Sequence, residues 1–200
     1  MTAGRPRTFD TDKALQKAQL AFFELGYEGA SLSILTKAMG ISSPSLYLAF
    51  GDKEKLFIAV LNRYYIPRFE LTKSVLFESG KSTLDAFILL IKNIVDASVS
   101  CDVKQGCLLV NSSIYMGRRY PALESKLQEL HAKHESLYYD RLILGVKAAD
   151  IVSTVDCRKV ARFLTSALNG LSIQVRMQKQ PSEIRDIGDE AIKYLTYTLT

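Results

Sequence analysis

The sequence lacks any apolar segment long enough to cross a membrane. No uninterrupted apolar run in its 200 residues exceeds six residues, the length of residues 86–91, whereas a membrane-spanning helix needs about 20. The first nine residues carry Arg5 and Arg7 with no apolar stretch behind them, which is unlike a secretory signal peptide. We therefore expect a protein of the cytoplasm that does not associate with membranes.

Cysteine is scarce as well. Cys101, Cys107 and Cys157 are odd in number and form no Cys-x-x-Cys pair, so the sequence predicts neither a disulfide framework nor a thiolate zinc site. A reducing compartment fits this pattern.

Familiar catalytic motifs are missing too. There is no Gly-x-Ser-x-Gly elbow, His-Glu-x-x-His pair, P-loop or dinucleotide fingerprint. We therefore assign no catalytic residue and no cofactor. The enzymatic alternative is a thiol-dependent hydrolase built on Cys107 with His131 or His134. These two histidines, at i and i+3, could also bind a metal, but no further ligand is near in sequence, and a solvated helix face is the preferred interpretation.

Glycine and proline, at 11 and 5 residues, are too sparse for an all-β protein, in which turns recur every ~8–12 residues. Apolar residues instead recur at steps of three and four, which is the pattern of amphipathic helices. The sequence thus predicts an all-α protein, with helices near residues 10–25, 31–39, 42–50, 52–67 or beyond, 82–100, 106–115, 121–144, 156–178 and 182–200. Later helices are longer and more apolar, so we divide the chain into domains 1–65 and 66–200.

The second and third predicted helices have the spacing of a helix-turn-helix. Ser31 is a good N-cap, and Gly40 ends the second helix two residues before the third begins. In such a motif the second of the two helices enters the major groove with its N-terminal residues against base edges. Leu46 and Phe50, at i and i+4, are expected to face the core, which leaves the other side of that helix exposed. Spacing alone also permits an ordinary corner between two helices.

The residues of this segment are more specific than its spacing. Residues 31–56 read SLSILTKAMGISSPSLYLAFGDKEKL, and this stretch resembles the DNA-binding signature of the TetR family of bacterial regulators. The resemblance implies three N-terminal helices that bind operator DNA, a larger sensing domain, and a homodimer formed through the last two helices. A twofold dimer in turn implies a palindromic operator.

The resemblance also assigns DNA-binding residues. Lys53, at the start of the fourth helix, is expected to bind a backbone phosphate. Pro44 stands where many relatives carry a small or basic residue, so no base preference is transferred there. The residues placed at the DNA are Ser31, Ser43, Pro44, Ser45, Tyr47, Leu48 and Lys53.

The N-terminal Gly-Arg-Pro-Arg segment is a separate feature. Although the chain carries a net charge of +5, residues 10–65 hold six basic and six acidic side chains. The basic excess of the first domain therefore comes from Arg5 and Arg7. Arginine on an extended arm suits the narrow, strongly negative minor groove of A·T-rich DNA.

Cys107 is the main candidate for a sensor. It lies in a Gly-Cys-Leu segment, residues 106–108, similar to one in a subset of TetR-type regulators, some of which use that cysteine to detect oxidants or electrophiles. A thiol in the first turn of a helix lies near the positive end of the helix dipole, which favours the reactive thiolate. The alternative is a small buried hydrophobe. Arg176 is a candidate to stabilise the thiolate, and Cys101 to act as a resolving thiol.

Ligand capture in an apolar cavity is the competing sensing mechanism. The second domain offers aromatic side chains for it, although most are expected to be core. The candidates are Phe87, Tyr115, Tyr138 and Phe163.

Overall fold

The computed structural model describes residues 9–100, 105–115 and 119–200, with the side chain of Tyr115 left out. These residues form helices and no strands, which confirms the all-α prediction. None of the helices in these ranges is long and apolar enough to cross a membrane. The helices are α1 (Thr11–Gly29), α2 (Leu32–Met39), α3 (Ser43–Phe50), α4 (Lys53–Leu76), α5 (Thr83–Ser100), α6 (Leu108–Tyr115), α7 (Pro121–Lys147), α8 (Cys157–Arg176) and α9 (Pro181–Leu199).

The chain folds as two compact units, Met1–Tyr65 and Ile66–Thr200. In the first unit, the helix starts follow from side-chain caps. Asp10 accepts the N–H groups of residues 12 and 13, Ser31 accepts that of residue 34, and Ser42 that of residue 45. Each cap satisfies a backbone N–H that has no partner within the helix.

The core of the first unit joins all four of its helices. Leu35, Leu46 and Leu56 are fully buried, and the rings of Phe22 and Phe57 meet edge to face with centroids 4.6 Å apart. Burial of such side chains contributes about 1.5–3 kcal/mol each. The core thus holds α3 on the rest of the unit through Leu46, one of the two residues that the apolar spacing predicts to face it. The other, Phe50, is half-buried.

The second unit depends on close approaches between helices. A Cβ added at Gly188 on α9 would lie 2.5 Å from Cγ2 of Val95 on α5, and one at Gly145 on α7 would overlap Oγ1 of Thr83. At these two points only glycine lets the helices come together as they do.

Arg141 is the main buried charged group of the second unit among the described residues, at 9% exposure. Its guanidinium donates to the carbonyl oxygens of Leu76 (2.7 Å) and Lys81 (3.0 Å) and to Oγ1 of Thr83 (2.7 Å). The carboxylate of Asp150 lies 3.9 Å away. The charge is thus balanced by several oxygens, as burial requires.

The histidines do not lie on a solvated face, contrary to the expectation from sequence. Nε2 of His131 lies 2.9 Å from Oγ of Ser113, and the His134 ring packs edge to face against Phe69 and Tyr138. The reason is that neighbouring elements cover this side of α7, which the pattern of α7 alone does not reveal. Burial lowers the pKa of His131, and burial together with the nearby His131 lowers the pKa of His134 to about 4. Within the described ranges no three potential ligands cluster as a metal site.

Candidate DNA-binding surface and sensing region

The turn between α2 and α3 is fixed by backbone hydrogen bonds. Gly40 adopts a left-handed conformation, with φ 71°. Its N–H and that of Ile41 donate to the carbonyl oxygen of Thr36, at 3.0 and 3.1 Å. Ser42 then caps α3, with Pro44 in the first turn. This is a C-terminal glycine cap followed directly by an N-cap, and it sets α3 against α2 as a helix-turn-helix.

Helix α3 presents four of the predicted DNA-binding residues to solvent. Ser43 and Pro44 are exposed, Tyr47 is 50% exposed and Leu48 is 89% exposed. Ser45 is half-buried, and its hydroxyl lies 2.9 Å from that of Ser42.

Two other predicted DNA-binding residues carry structural contacts of their own. The Ser31 hydroxyl accepts the N–H of Ile34 at 3.2 Å, which caps α2. Nζ of Lys53 lies 4.5 Å from the centroid of the Tyr27 ring and donates to the carbonyl oxygen of Glu28 at 3.4 Å. Burial lowers the pKa of Lys53, against the opposing charge of Glu28. Its ammonium group is therefore held in place at the start of α4. The sequence did not predict the role of Tyr27, because 26 residues separate it from Lys53.

Arg5 and Arg7 lie outside the described residues, as do Cys101 and the side chain of Tyr115.

Cys107 is half-buried and immediately precedes α6, rather than lying in its first turn. Its N–H donates to Oγ of Ser172 at 2.7 Å, and its carbonyl accepts the N–H of Asn111 at 2.9 Å. A Cβ added at Gly106 would lie 2.7 Å from the Ser172 carbonyl oxygen and 3.3 Å from Cβ of Arg176. The segment therefore lies directly against the end of α8 that carries Arg176.

The predicted aromatic effector residues do not share one environment. Phe87 and Tyr138 are buried in the core with ring centroids 6.0 Å apart. Phe163 is 41% exposed, and its ring lies 4.0 Å from that of Tyr194 on α9. Phe163 thus belongs to the outer surface of the α8–α9 pair.

A groove of about 500 Å³ opens between α6, α7 and α8. Among the predicted effector residues whose side chains the structure describes, none lines this groove. Its polar lining includes Ser113, Gln128, His131, Glu135 and Asn169. Residues 124, 128, 131 and 135 are spaced by three or four positions, so the sequence could have predicted that they share one face of α7. Only the tertiary structure places α6 and α8 beside it.

The fold and the exposed α3 define a helix-turn-helix DNA-binding regulator. Two family models match the chain: "Bacterial regulatory proteins, tetR family" over residues 15–60, and "Tetracyclin repressor-like, C-terminal domain" over residues 83–189. The chain belongs to the TetR family and is a DNA-binding transcriptional regulator.

The similar proteins extend over nearly the whole chain. HTH-type transcriptional repressor ComR of Escherichia coli K12 is 34% identical over 95% of this chain and 90% of its own. The uncharacterized regulator YezE of Bacillus subtilis 168 is 25% identical over 96% of this chain and 99% of its own. A cysteine mutant of the TetR family regulator CifR, complexed with 26-bp double-strand operator DNA, has a TM-score of 0.87 and 32% identity, covering 94% of this chain and 98% of its own.

Proposed function

We propose that this protein is a cytoplasmic repressor that binds a palindromic operator as a homodimer and releases it when Cys107 is modified by an electrophile or oxidant. The observation that carries the DNA-binding part is the exposed face of α3, held by the capped turn before it. The similarity to ComR, named a repressor, supports the direction of regulation. Domain 1–65 is the DNA-binding part in this proposal, and domain 66–200 senses and dimerises.

The proposed DNA-binding residues contact three different parts of the DNA. Ser43, Tyr47 and Leu48 face the major groove, whereas Lys53 binds a backbone phosphate. The contact of Lys53 with Tyr27 orients the ammonium group before DNA arrives. Arg5 and Arg7 enter the adjacent minor groove.

A binding assay on an operator obtained by random-site selection tests this part. We expect Tyr47→Ala and Lys53→Ala each to weaken binding at least tenfold. Lys92→Ala, at an exposed lysine of α5 and so on neither the DNA-binding surface nor the proposed dimer surface, is the matched control and leaves binding unchanged. Deletion of residues 1–7 weakens binding and flattens its salt dependence, because two phosphate-neutralising charges are lost. Failure to select any operator would contradict the function and favour the enzymatic alternative.

Dimerisation through α8 and α9 is supported by the apolar surface left on these helices. Three apolar residues of these helices, Leu164, Ile184 and Leu195, are buried in the core of their own unit, so they are not free to meet a second copy. Phe163 and Tyr197 instead face outward, the latter 90% exposed. The apolar surface that these two side chains leave exposed on α8 and α9 is available to a second copy of the chain.

Sedimentation measurements test the dimer. Phe163→Asp combined with Tyr197→Asp places charge on the proposed interface, so we expect a monomer that binds DNA weakly. Leu144→Asp, at another exposed apolar residue on α7, is the control and stays dimeric. A double variant that remains a dimer would show that another surface joins the subunits.

Sensing by Cys107 is supported by its partial exposure beside α8. The Cys107 thiolate adds to a C=C carbon of a quinone. A C–S bond forms as the π bond breaks, the electron pair moves to the carbonyl oxygen, and that oxygen takes a proton from water. An adduct lowers DNA affinity only if it favours the conformation that binds DNA less well. Because the Cys107 N–H donates to Ser172 on α8, a bulky adduct on Cys107 is expected to displace a helix of the proposed dimer surface.

Treatment with a quinone, followed by mass spectrometry and the binding assay, tests the sensor. We expect one adduct at Cys107 and loss of DNA binding, with both absent in Cys107→Ser. Cys157 is the matched control, because it is buried and burial raises the pKa of its thiol. Cys157→Ser therefore responds like wild type. Equal release of DNA from Cys107→Ser would favour a non-covalent ligand instead.

A further inference from the structure

Helix α3 lacks the side chains that most proteins use to identify bases. Its sequence, SPSLYLAF, contains no arginine, lysine, asparagine or glutamine. Arginine and lysine recognise guanine through two hydrogen bonds, and asparagine and glutamine recognise adenine in the same way. The helix that enters the major groove therefore has to distinguish base pairs by other contacts.

The hydroxyl groups of α3 provide weak discrimination. The Ser45 hydroxyl lies 2.9 Å from that of Ser42, and Ser42 also accepts the Ser45 N–H at 3.3 Å. Ser45 is thus engaged in the cap of the helix. Ser43 and Tyr47 remain, but a hydroxyl both donates and accepts, so it can pair with several base edges.

Leu48 is the distinctive apolar group of this surface. It is 89% exposed, whereas Leu46, two positions earlier, is fully buried. Pro44 is also exposed and lies four residues before Leu48, on the same side of the helix. Together they give the outward face of α3 an apolar stripe one turn long. In the major groove the matching apolar group is the C5-methyl of thymine.

We propose that Leu48 recognises the operator by packing against the C5-methyl group of a thymine in each half-site. The proposal rests on the DNA-binding function and deepens it, because it names the chemical group that is read. Desolvation is the source of the selectivity. The isobutyl group and the methyl group both leave water when they meet, whereas cytosine, guanine and adenine carry no methyl group at the major-groove edge.

Deoxyuridine substitution tests the proposal on an operator obtained by random-site selection. Each thymine is replaced in turn, symmetrically in both half-sites, which removes one methyl group and leaves base pairing intact. Burial of one methyl-sized group contributes about 0.8 kcal/mol, or about fourfold in affinity. We therefore expect one thymine position whose replacement weakens binding by about fourfold per half-site.

Leu48→Ala completes the test. The variant binds the thymine operator more weakly than wild type but shows no further loss on the deoxyuridine operator. Because Leu48 is almost wholly exposed and alanine favours helix, the variant folds normally, which circular dichroism checks. Leu144→Ala, at an exposed leucine of α7, keeps the full preference for thymine.

Two results would overturn the proposal. One is a selected operator in which no thymine position responds to deoxyuridine. The other is a Leu48→Ala variant that keeps the wild-type preference at the responsive position. In both cases the protein still binds its operator, so the DNA-binding function survives. Failure to bind any operator contradicts that function itself, and the Leu48 contact with it.

Discussion

The two units each contain an arginine that makes a contact distant in sequence, and the two arginines differ in burial. In the first unit, Nε of Arg63 donates to Oδ1 of Asp12 at 2.6 Å, with the carboxylate 71% exposed. In the second unit, Arg141 is buried and its donors reach oxygens 58–65 residues away in sequence. Surface ion pairs add little to stability, whereas a buried charge depends on all of its partners. The first unit is thus organised mainly by local caps and an apolar core, and the second by long-range polar contacts as well.

The largest effect is expected at Arg141. Arg141→Met keeps the apolar stem but leaves the carbonyl oxygens of Leu76 and Lys81 and the hydroxyl of Thr83 without their donor. We expect a loss of about 3–5 kcal/mol in the free energy of unfolding of the second unit. Urea denaturation followed by hydrogen exchange of peptides from α7 measures it.

Arg63→Met is the counterpart in the first unit and should change stability far less. Equal losses at the two positions would remove the distinction between the units.

Lowering the pH is expected to destabilise the second unit more than the first. Both histidines of the chain lie in the second unit, and burial lowers the pKa of His134 to about 4, below the value of about 6.5 for an unfolded chain. The folded state therefore binds fewer protons, so stability falls as the pH drops from about 6.5 to 4. The expected loss is about 2–3 kcal/mol for the second unit.

Hydrogen exchange of α7 and α1 peptides at pH 7, 5 and 4 checks this expectation. His134→Phe keeps a ring between Phe69 and Tyr138 but cannot titrate, so its stability should change less with pH. Identical acid profiles for the variant and wild type would contradict the assignment to His134.

Glycine substitutions extend the comparison to helix packing. Gly188→Ala places a Cβ 2.5 Å from Cγ2 of Val95, and we expect a loss of about 1–3 kcal/mol in the unfolding free energy. Gly29→Ala, at the end of α1, meets only Cβ of Leu25 at 3.4 Å, an ordinary contact. We expect it to change stability by no more than about 0.5 kcal/mol.

Thermal unfolding of the Gly188→Ala and Gly29→Ala variants measures the difference. A Gly188→Ala variant as stable as wild type would show that α5 and α9 can move apart without cost.

A smaller loss than that of Gly188→Ala is expected at a cap of the first unit. Ser42→Ala removes the acceptor for the Ser45 N–H, which costs about 1 kcal/mol. Ser42→Asp keeps an acceptor and should retain most of the stability. Loss of operator binding by Ser42→Ala without any loss of stability would instead assign Ser42 to the DNA contact.

Much of the first unit could be predicted because its signals are local. Ser31, Gly40 and Ser42 each act on backbone groups within four residues, so their positions along the chain were enough to predict α2, the turn and α3. The same reasoning predicted that Leu46 would be buried. It did not predict that Lys53 would lie over Tyr27, because that contact joins the ends of different helices.

The sensing region was harder to predict. Residue type suggested aromatic candidates for ligand capture, but Phe87 and Tyr138 lie in the core and Phe163 lies on the surface. The partial burial of His131 and His134 was also missed. Helical periodicity says which residues share a face, but it does not say which neighbouring helix covers that face.

The sequence by itself determined the all-helical class, the capped helix-turn-helix and the resemblance to the TetR family, because each depends on residues close together in the chain. Only the tertiary structure decided which oxygens surround Arg141, where glycine admits a neighbouring helix, and how Gly106 and Cys107 lie against α8. The hydrogen bonds of Arg141 and Cys107 and the close approaches at the glycines join residues 58 to 93 positions apart. The physical reason is that a buried group is stabilised by the groups that the tertiary fold places around it, and the residues next to it in sequence do not identify those groups.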